Sequence, residues 1–237
     1  MKVAIIRFPG TNCDLDAYHV LNNVLRLPAD LIWHDEVDLQ KYDGVLLPGG
    51  FSYGDHLRGG IIAAHSPAMS QVTNAAEEGK PVLGICNGFQ ILVESNLLPG
   101  ALLRNAGLRF VCKWVQLRVD STSTFFTSGL KRGTLLRMPI AHGEGRYFLT
   151  ENEIRNLERK GQIAFRYVDG KGNTTDDSNP NGSLSNIAGV SNGKGNVVGL
   201  MPHPERASEK ILSPFGSSDG LAVLGAFAKV VEVIARK

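Results

Sequence analysis

Cysteine is scarce in this sequence. Cys13, Cys86 and Cys112 are its three cysteines in 237 residues, an odd number with no C-x-x-C pair among them. That excludes a disulfide framework, gives no support to a structural zinc site, and suits a reducing compartment. An excess of one charge is missing too, since 25 basic residues face 23 acidic ones for a formal net charge of +2. No basic run and no aromatic-basic alternation marks a nucleic-acid surface. No apolar run approaches the roughly 18 residues of a membrane span. The opening "MKVAIIRFPG" is too short in its apolar part for a signal-peptide core, and Pro9-Gly10 ends it. The expectation is a cytoplasmic protein with neither nucleic acid nor membrane among its partners.

What is present looks like an ordinary soluble globular chain, 43% hydrophobic and 20% charged. Short apolar runs alternate with helical patterns in the first hundred residues. Strands are expected at 2–8, 30–34, 43–48 and 81–85, with a helix at 16–25 that has Ala17, Val20, Val24 and Leu25 on one side. A second helix begins at Ser66-Pro67, a plausible N-cap followed by proline at the first helical position, and Gly79 ends it. Strand-helix alternation implies a parallel sheet covered on both faces. After Pro99 the rhythm changes. Strands are expected at 109–119, 133–142, 163–168, 186–192 and 196–202, with one charged helix at 151–160 between them, so an antiparallel extension of the sheet suits this half. The polar, turn-rich stretch 169–186 reads as a mobile loop without a role, and 219–236 as a closing amphipathic helix. With no repeat and no linker, residues 1–237 read as one domain.

Three stretches carry chemistry. In "PVLGICNGFQ" (81–90) Cys86 sits between Gly84 and Gly88 just after a buried strand. This is the spacing of a nucleophile elbow, where a strand turns sharply into a helix and holds the nucleophile in a strained conformation. The new helix points the positive end of its backbone dipole at the sulfur, which suits an anionic nucleophile. A free cysteine is more often a small core residue, and Cys13 and Cys112, which lack such a frame, are read that way. In "GLMPHPER" (199–206) a strand ends with His203 between two prolines and Glu205 two residues on. That order gives a base and a carboxylate to orient it, against the plainer reading of a solvated surface turn. In "LLPGGFSYGD" (46–55) paired glycines let backbone N–H groups face an oxyanion; Gly50 and Asn87 are the expected donors. Taken alone, Gly-Gly is only a turn signal. All three stretches leave the carboxyl ends of expected strands, the edge where open parallel sheets bind ligands.

With Cys86, His203, Glu205 and Gly49-Gly50 assembled, the chain resembles the class I (triad) glutamine amidotransferases, and Gln90 completes their Gly-x-Cys-x-Gly-x-Gln pattern. "RFPGTNCDLD", "LPGGFSYGDHLRGG", "GICNGFQIL", "HGEGR" and "MPHPER" resemble, within that family, the branch serving phosphoribosylformylglycinamidine synthase in purine biosynthesis. Asn87 is a mark of this branch. The resemblance runs from residue 2 to about 207. It implies a flavodoxin-like, three-layer α/β fold: an open, mostly parallel sheet with helices on both faces and an antiparallel extension.

The resemblance also implies a catalytic triad of Cys86, His203 and Glu205. Gln90, His142 and Gly143 would contact L-glutamine, the last two through the backbone. The chain would be a ligase subunit with a glutaminase half-reaction, passing ammonia to a large ATP-using synthetase subunit in a complex with a small accessory subunit. No cofactor or metal is expected in this chain, because "PGGFSYGD" lacks the Lys-Ser/Thr of a phosphate-binding loop; ATP and magnesium belong to the synthetase. Two rivals remain: service to another synthetase or general cysteine hydrolysis, and a non-enzymatic interaction protein on the same fold.

Overall fold

The computed structural model describes residues 1–236. Its strands are β1 (Val3–Arg7), β2 (Ala29–Trp33), β3 (Gly44–Leu47), β4 (Val82–Ile85), β5 (Ala101–Arg104), β6 (Val111–Val119), β7 (Leu135–His142), β8 (Glu144–Phe148), β9 (Ile163–Val168), β10 (Ile187–Ser191) and β11 (Val197–Leu200). Every strand expected from the sequence is there to within two residues. Only β5 and β8 were not foreseen. They are short, β8 begins next to Gly143 and contains Gly145, and they pair with each other in a separate two-stranded sheet.

The helices are α1 (Asp14–His19), α2 (Ile61–Ala64), α3 (Pro67–Glu77), α4 (Asn87–Glu94), α5 (Glu151–Arg159) and α6 (Gly220–Ile234). The expected helix at 16–25 runs on from α1 through a π-turn at Val20–Val24, burying Ala17, Val20 and Leu21. Ser66 occupies the N-cap position of α3, although its side chain makes no capping bond. At the other end Gly79 N–H donates to Ala76 and Lys80 N–H to Ala75, the paired closure that a left-handed glycine permits. Thr150 and Glu153 cap α5 reciprocally.

The main sheet has nine strands in the order β2-β1-β3-β4-β11-β10-β9-β6-β7. β2, β1, β3, β4 and β11 run parallel; β10, β9, β6 and β7 continue the sheet with antiparallel pairing. β11 departs from the antiparallel character expected of the second half. It is the return strand of a hairpin with β10, and docking beside β4 turns its carboxyl end to the same edge. Helices cover both faces: a methyl on Gly84 or Gly199 would strike Leu92 or Phe89 of α4, whereas one on Gly44 would strike Val231 of α6. Leu47 is in register with Gly84, and Gly44 lies three residues before it, on the opposite face. β3, β4 and β11 are buried along their whole length, as strands covered on both sides must be.

Candidate active site

The site follows from strand order. β3, β4 and β11 are immediate neighbours, so Gly49-Gly50, Cys86 and His203 emerge side by side at one edge. Cys86 takes φ 51° and ψ −104°, a conformation that strains any residue with a side chain. The elbow needs its glycines: a methyl on Gly88 would lie 2.0 Å from the carbonyl oxygen of Leu47, and one on Gly84 2.6 Å from that of Gly88. Cys86 N–H donates to Leu200 of β11 at 2.8 Å, and its Sγ lies 3.8 Å from the Ala141 carbonyl.

His203 and Glu205 are buried, and Nδ1 of the ring bonds Oε1 of Glu205 at 2.6 Å. Backbone N–H of His203 is tied to Pro139 of β7 at 2.9 Å. Burial opposes a charged ring, but the Glu205 carboxylate and Cys86 outweigh it and hold the His203 pKa well above the ordinary imidazole value. The ring at rest is therefore an imidazolium with Nδ1 committed to Glu205 and Nε2 free of any protein hydrogen bond. A methyl on Gly49 would meet Cε1 of His203 at 2.8 Å, Sγ of Cys13 at 3.1 Å and Cβ of Cys86 at 3.4 Å. One α-carbon thus abuts the expected base, the expected nucleophile and a second cysteine.

The two expected oxyanion donors lie just past β3 and at the start of α4. Asn87 is the first residue of α4, where a backbone N–H has no partner within the helix. Gly50 has φ 151°, and a methyl there would meet Thr11, Asn12 and Gly10 at 2.7–2.8 Å. The Asn87 side chain joins the two halves: its Oδ1 accepts from Ser52 N–H at 3.1 Å and its Nδ2 donates to Gln90 Oε1 at 2.8 Å. Gln90 in turn donates to the Glu144 carbonyl at 2.7 Å, leaving one amide hydrogen for a ligand.

His142 is buried, and Asn105 sets its tautomer. The Asn105 Nδ2 donates to the carbonyls of His142 and Arg109, so its Oδ1 must accept from Gly145 N–H and from Nδ1 of His142, each at 3.1 Å. Burial and the neighbouring His203 push the His142 pKa down to about 4. The ring is neutral, with an unpartnered Nε2 acceptor. Gly143 lines a cavity of about 290 Å³ with Phe51, Asp55, Arg104, Leu108, Arg109, Phe110 and Glu144. Both charge signs reach this pocket. Asp55, half-buried and facing Glu144, has its pKa raised to about 6 by burial first and by Glu144 second.

The family model described as a CobB/CobQ-like glutamine amidotransferase domain matches residues 1–224. The chain belongs to this amidotransferase family. It is 56% identical over 230 residues to the phosphoribosylformylglycinamidine synthase subunit PurQ of Thermomicrobium roseum, covering 97% of this chain and 96% of that one. The subunit of the same name from Methanosarcina acetivorans is 54% identical over 231 residues, 98% of each chain. Among solved structures, PurLQS from Thermotoga maritima matches with a TM-score of 0.84 at 42% identity, over 96% of this chain and 97% of that one. The protein is accordingly a glutamine amidotransferase with the expected open α/β fold.

Four residues of this amidotransferase site escaped the sequence reading: Cys13, Asn105, Asp55 and Arg206. Cys13, read as a core residue, is buried but lies in the site, where its Sγ, a His203 ring nitrogen and a Glu205 oxygen all fall within 4.8 Å of one another. Arg206 places a guanidinium nitrogen 3.2 Å from that sulfur. A fixed cation there suits hydrogen bonding better than metal coordination. The signal for Cys13 was present, since "RFPGTNCD" also leaves the carboxyl end of a buried strand; for Asn105 there was none. The loop 169–186 is irregular as expected, but its second half is pinned. Asn181 Nδ2 donates to the Gly145 carbonyl at 2.8 Å and Ser183 Oγ accepts from Tyr147 N–H at 3.0 Å. Its buried polar side chains serve the backbone of β8, which has a strand partner on one side only.

Among the described residues no helix is long and apolar enough to cross a membrane.

Proposed function

We infer that this chain is the glutaminase subunit of phosphoribosylformylglycinamidine synthase. The observation that carries the reading is the convergence of Cys86, His203 and Glu205 beside two free N–H groups, in a chain more than half identical to subunits of that name over nearly its full length. The cytoplasm is the compartment that suits a reduced, buried cysteine nucleophile.

L-Glutamine occupies the cavity beside Gly143 and Glu144. Carboxylates and guanidinium groups on its walls match the ammonium and carboxylate of an amino acid. The Cys86 thiolate attacks the side-chain carboxamide carbon, and the N–H groups of Gly50 and Asn87 receive the negative charge that develops on oxygen. His203, charged at rest, gives its Nε2 proton to the departing ammonia as the C–N bond breaks. The neutral ring then takes a proton from water, which attacks the γ-glutamyl thioester and releases glutamate. Glu205 keeps the ring oriented throughout. Ammonia set free in water would largely become ammonium, a poor nucleophile, so it passes directly to a synthetase subunit that aminates formylglycinamide ribonucleotide with ATP.

The mouth of the cavity is the docking face for that synthetase in a complex that also holds a small accessory subunit. Leu108 is 79% exposed there beside exposed Phe51 and Phe110, and Leu57, two residues along the chain from Asp55 of the cavity wall, is 83% exposed; both leucines have positive φ.

The test is Cys86→Ala in the assembled complex. Glutamine-driven synthesis should be abolished while synthesis driven by ammonium salts continues, because the amination chemistry sits on the partner. Retained glutamine-driven turnover would overturn the assignment.

A further inference from the structure

The carbonyl and N–H of one peptide point in opposite directions when the bond is trans, and no peptide in the described chain is cis. The Gly49 carbonyl, which shares its peptide with the Gly50 N–H, accepts from Asn12 N–H at 3.2 Å and from Cys13 N–H at 3.1 Å. Both donors belong to the loop after β1. With the carbonyl fixed on that side, the Gly50 N–H faces away from the loop. The same loop grips the next peptides: Phe51 N–H donates to the Gly10 carbonyl at 2.9 Å and Tyr53 N–H to the Pro9 carbonyl at 2.6 Å.

The loop is itself anchored through Cys13. Its thiol donates to Asn12 Oδ1 at 3.1 Å, and its sulfur accepts from Arg206, whose Nε reaches Asp16 at 3.1 Å. Arg206 directly follows Glu205, so the anchor ties the loop to the segment that carries the base. We propose that residues 9–13 form a clamp that sets the direction of the Gly49–Gly50 peptide, and that Cys13 is a positioning residue of the glutaminase reaction. Cys13 forms no bond to substrate. It acts by holding the clamp, and through it the Gly50 donor, in register with Cys86.

This inference rests on the glutaminase reading, and the experiment separates the two. Cys13→Ala, Cys13→Ser and Gly10→Ala are compared with the parent protein in complex with its synthetase subunit, all on a Cys112→Ser background. Steady-state kcat and KM for glutamine are measured together with the rate at which iodoacetamide alkylates Cys86. Alkylation displaces iodide and develops no oxyanion, so it reads nucleophile and base alone. Thermal melting checks that each variant is folded.

Loss of an oxyanion donor typically costs roughly 10²–10³-fold, and misdirection of one should lower kcat by about tenfold or more in Cys13→Ala. KM and the alkylation rate should stay within about twofold, since only the transition state uses the misdirected donor. Gly10→Ala, whose new methyl would lie 2.2 Å from the Phe51 carbonyl oxygen, should give the same split. Cys13→Ser, which keeps a donor to Asn12 and an acceptor for Arg206, should recover most of the loss. An unchanged kcat in both Cys13→Ala and Gly10→Ala overturns the proposal. So does a parallel fall of kcat and alkylation, which would mark a general collapse of the site. Failure of the glutaminase reading would appear instead as a parent protein with no glutamine turnover to lose.

Discussion

Two neighbouring histidines, His203 and His142, are held in opposite charge states by their surroundings. Glu205 and Cys86 keep His203 charged; burial and His203 itself keep His142 neutral. Asp55 shows the same local control and gives a testable pH dependence. Its carboxyl is ordinary in the unfolded chain, near 3.9, and is raised to about 6 in the fold. Between those values the native state binds more protons than the unfolded one, so this residue lowers stability as pH rises through the window and keeps it lower above. Asp55→Asn keeps the shape of the side chain and tolerates its φ of 52°. Thermal denaturation should find the variant more stable than the parent at about pH 7 and equal to it at about pH 4. A variant less stable at neutral pH would show that Asp55 gains more from its contacts than it loses to burial and to Glu144.

At the scale of elements, the legible parts were those with a strong local signal. β1, β3, β4 and β11 are continuous apolar runs bounded by turn residues, and α3 carries both of its end signals in sequence. The elbow was legible because the close packing of β4, α4 and β3 admits only glycine at 84 and 88. β5 and β8 gave no such signal: their pairing depends on residues some forty positions apart, and the polar loop 179–186 completes it. Asn181 is the clearest case, a buried amide bonded to the Gly145 carbonyl and to Ser183. Asn181→Ala removes one of the two donors to the Gly145 carbonyl, leaving Ser183 Oγ at 3.2 Å, and should cost about 1 kcal/mol, read from the denaturant midpoint. The glutamine KM should rise as well, because β8 carries Glu144 at the cavity wall. A change within about 0.5 kcal/mol, the range of an ordinary surface substitution, would return the loop to the status of a spacer.

On the scale of the whole molecule, the docking face makes a prediction of its own. Leu57→Asp with Leu108→Asp places charge where a partner is to exclude water, at two positive-φ positions that aspartate tolerates. Affinity for the synthetase subunit, measured by titration calorimetry, should fall by about tenfold or more, while melting temperature and Cys86 alkylation of the free chain stay unchanged. Unaltered affinity would move the docking face elsewhere. The amino-acid sequence by itself determined nine of the eleven strands, the elbow, the expected base with its carboxylate and the family, because each is written in neighbouring residues whose spacing is its own constraint. Tertiary structure alone decided that β11 enters beside β4, bringing residues 86 and 203 together. It also decided that Cys13 belongs to the site and that Asn105 dictates the tautomer of His142. Those outcomes depend on which strand edges meet and which polar atoms are buried together, and no local stretch of chain encodes either.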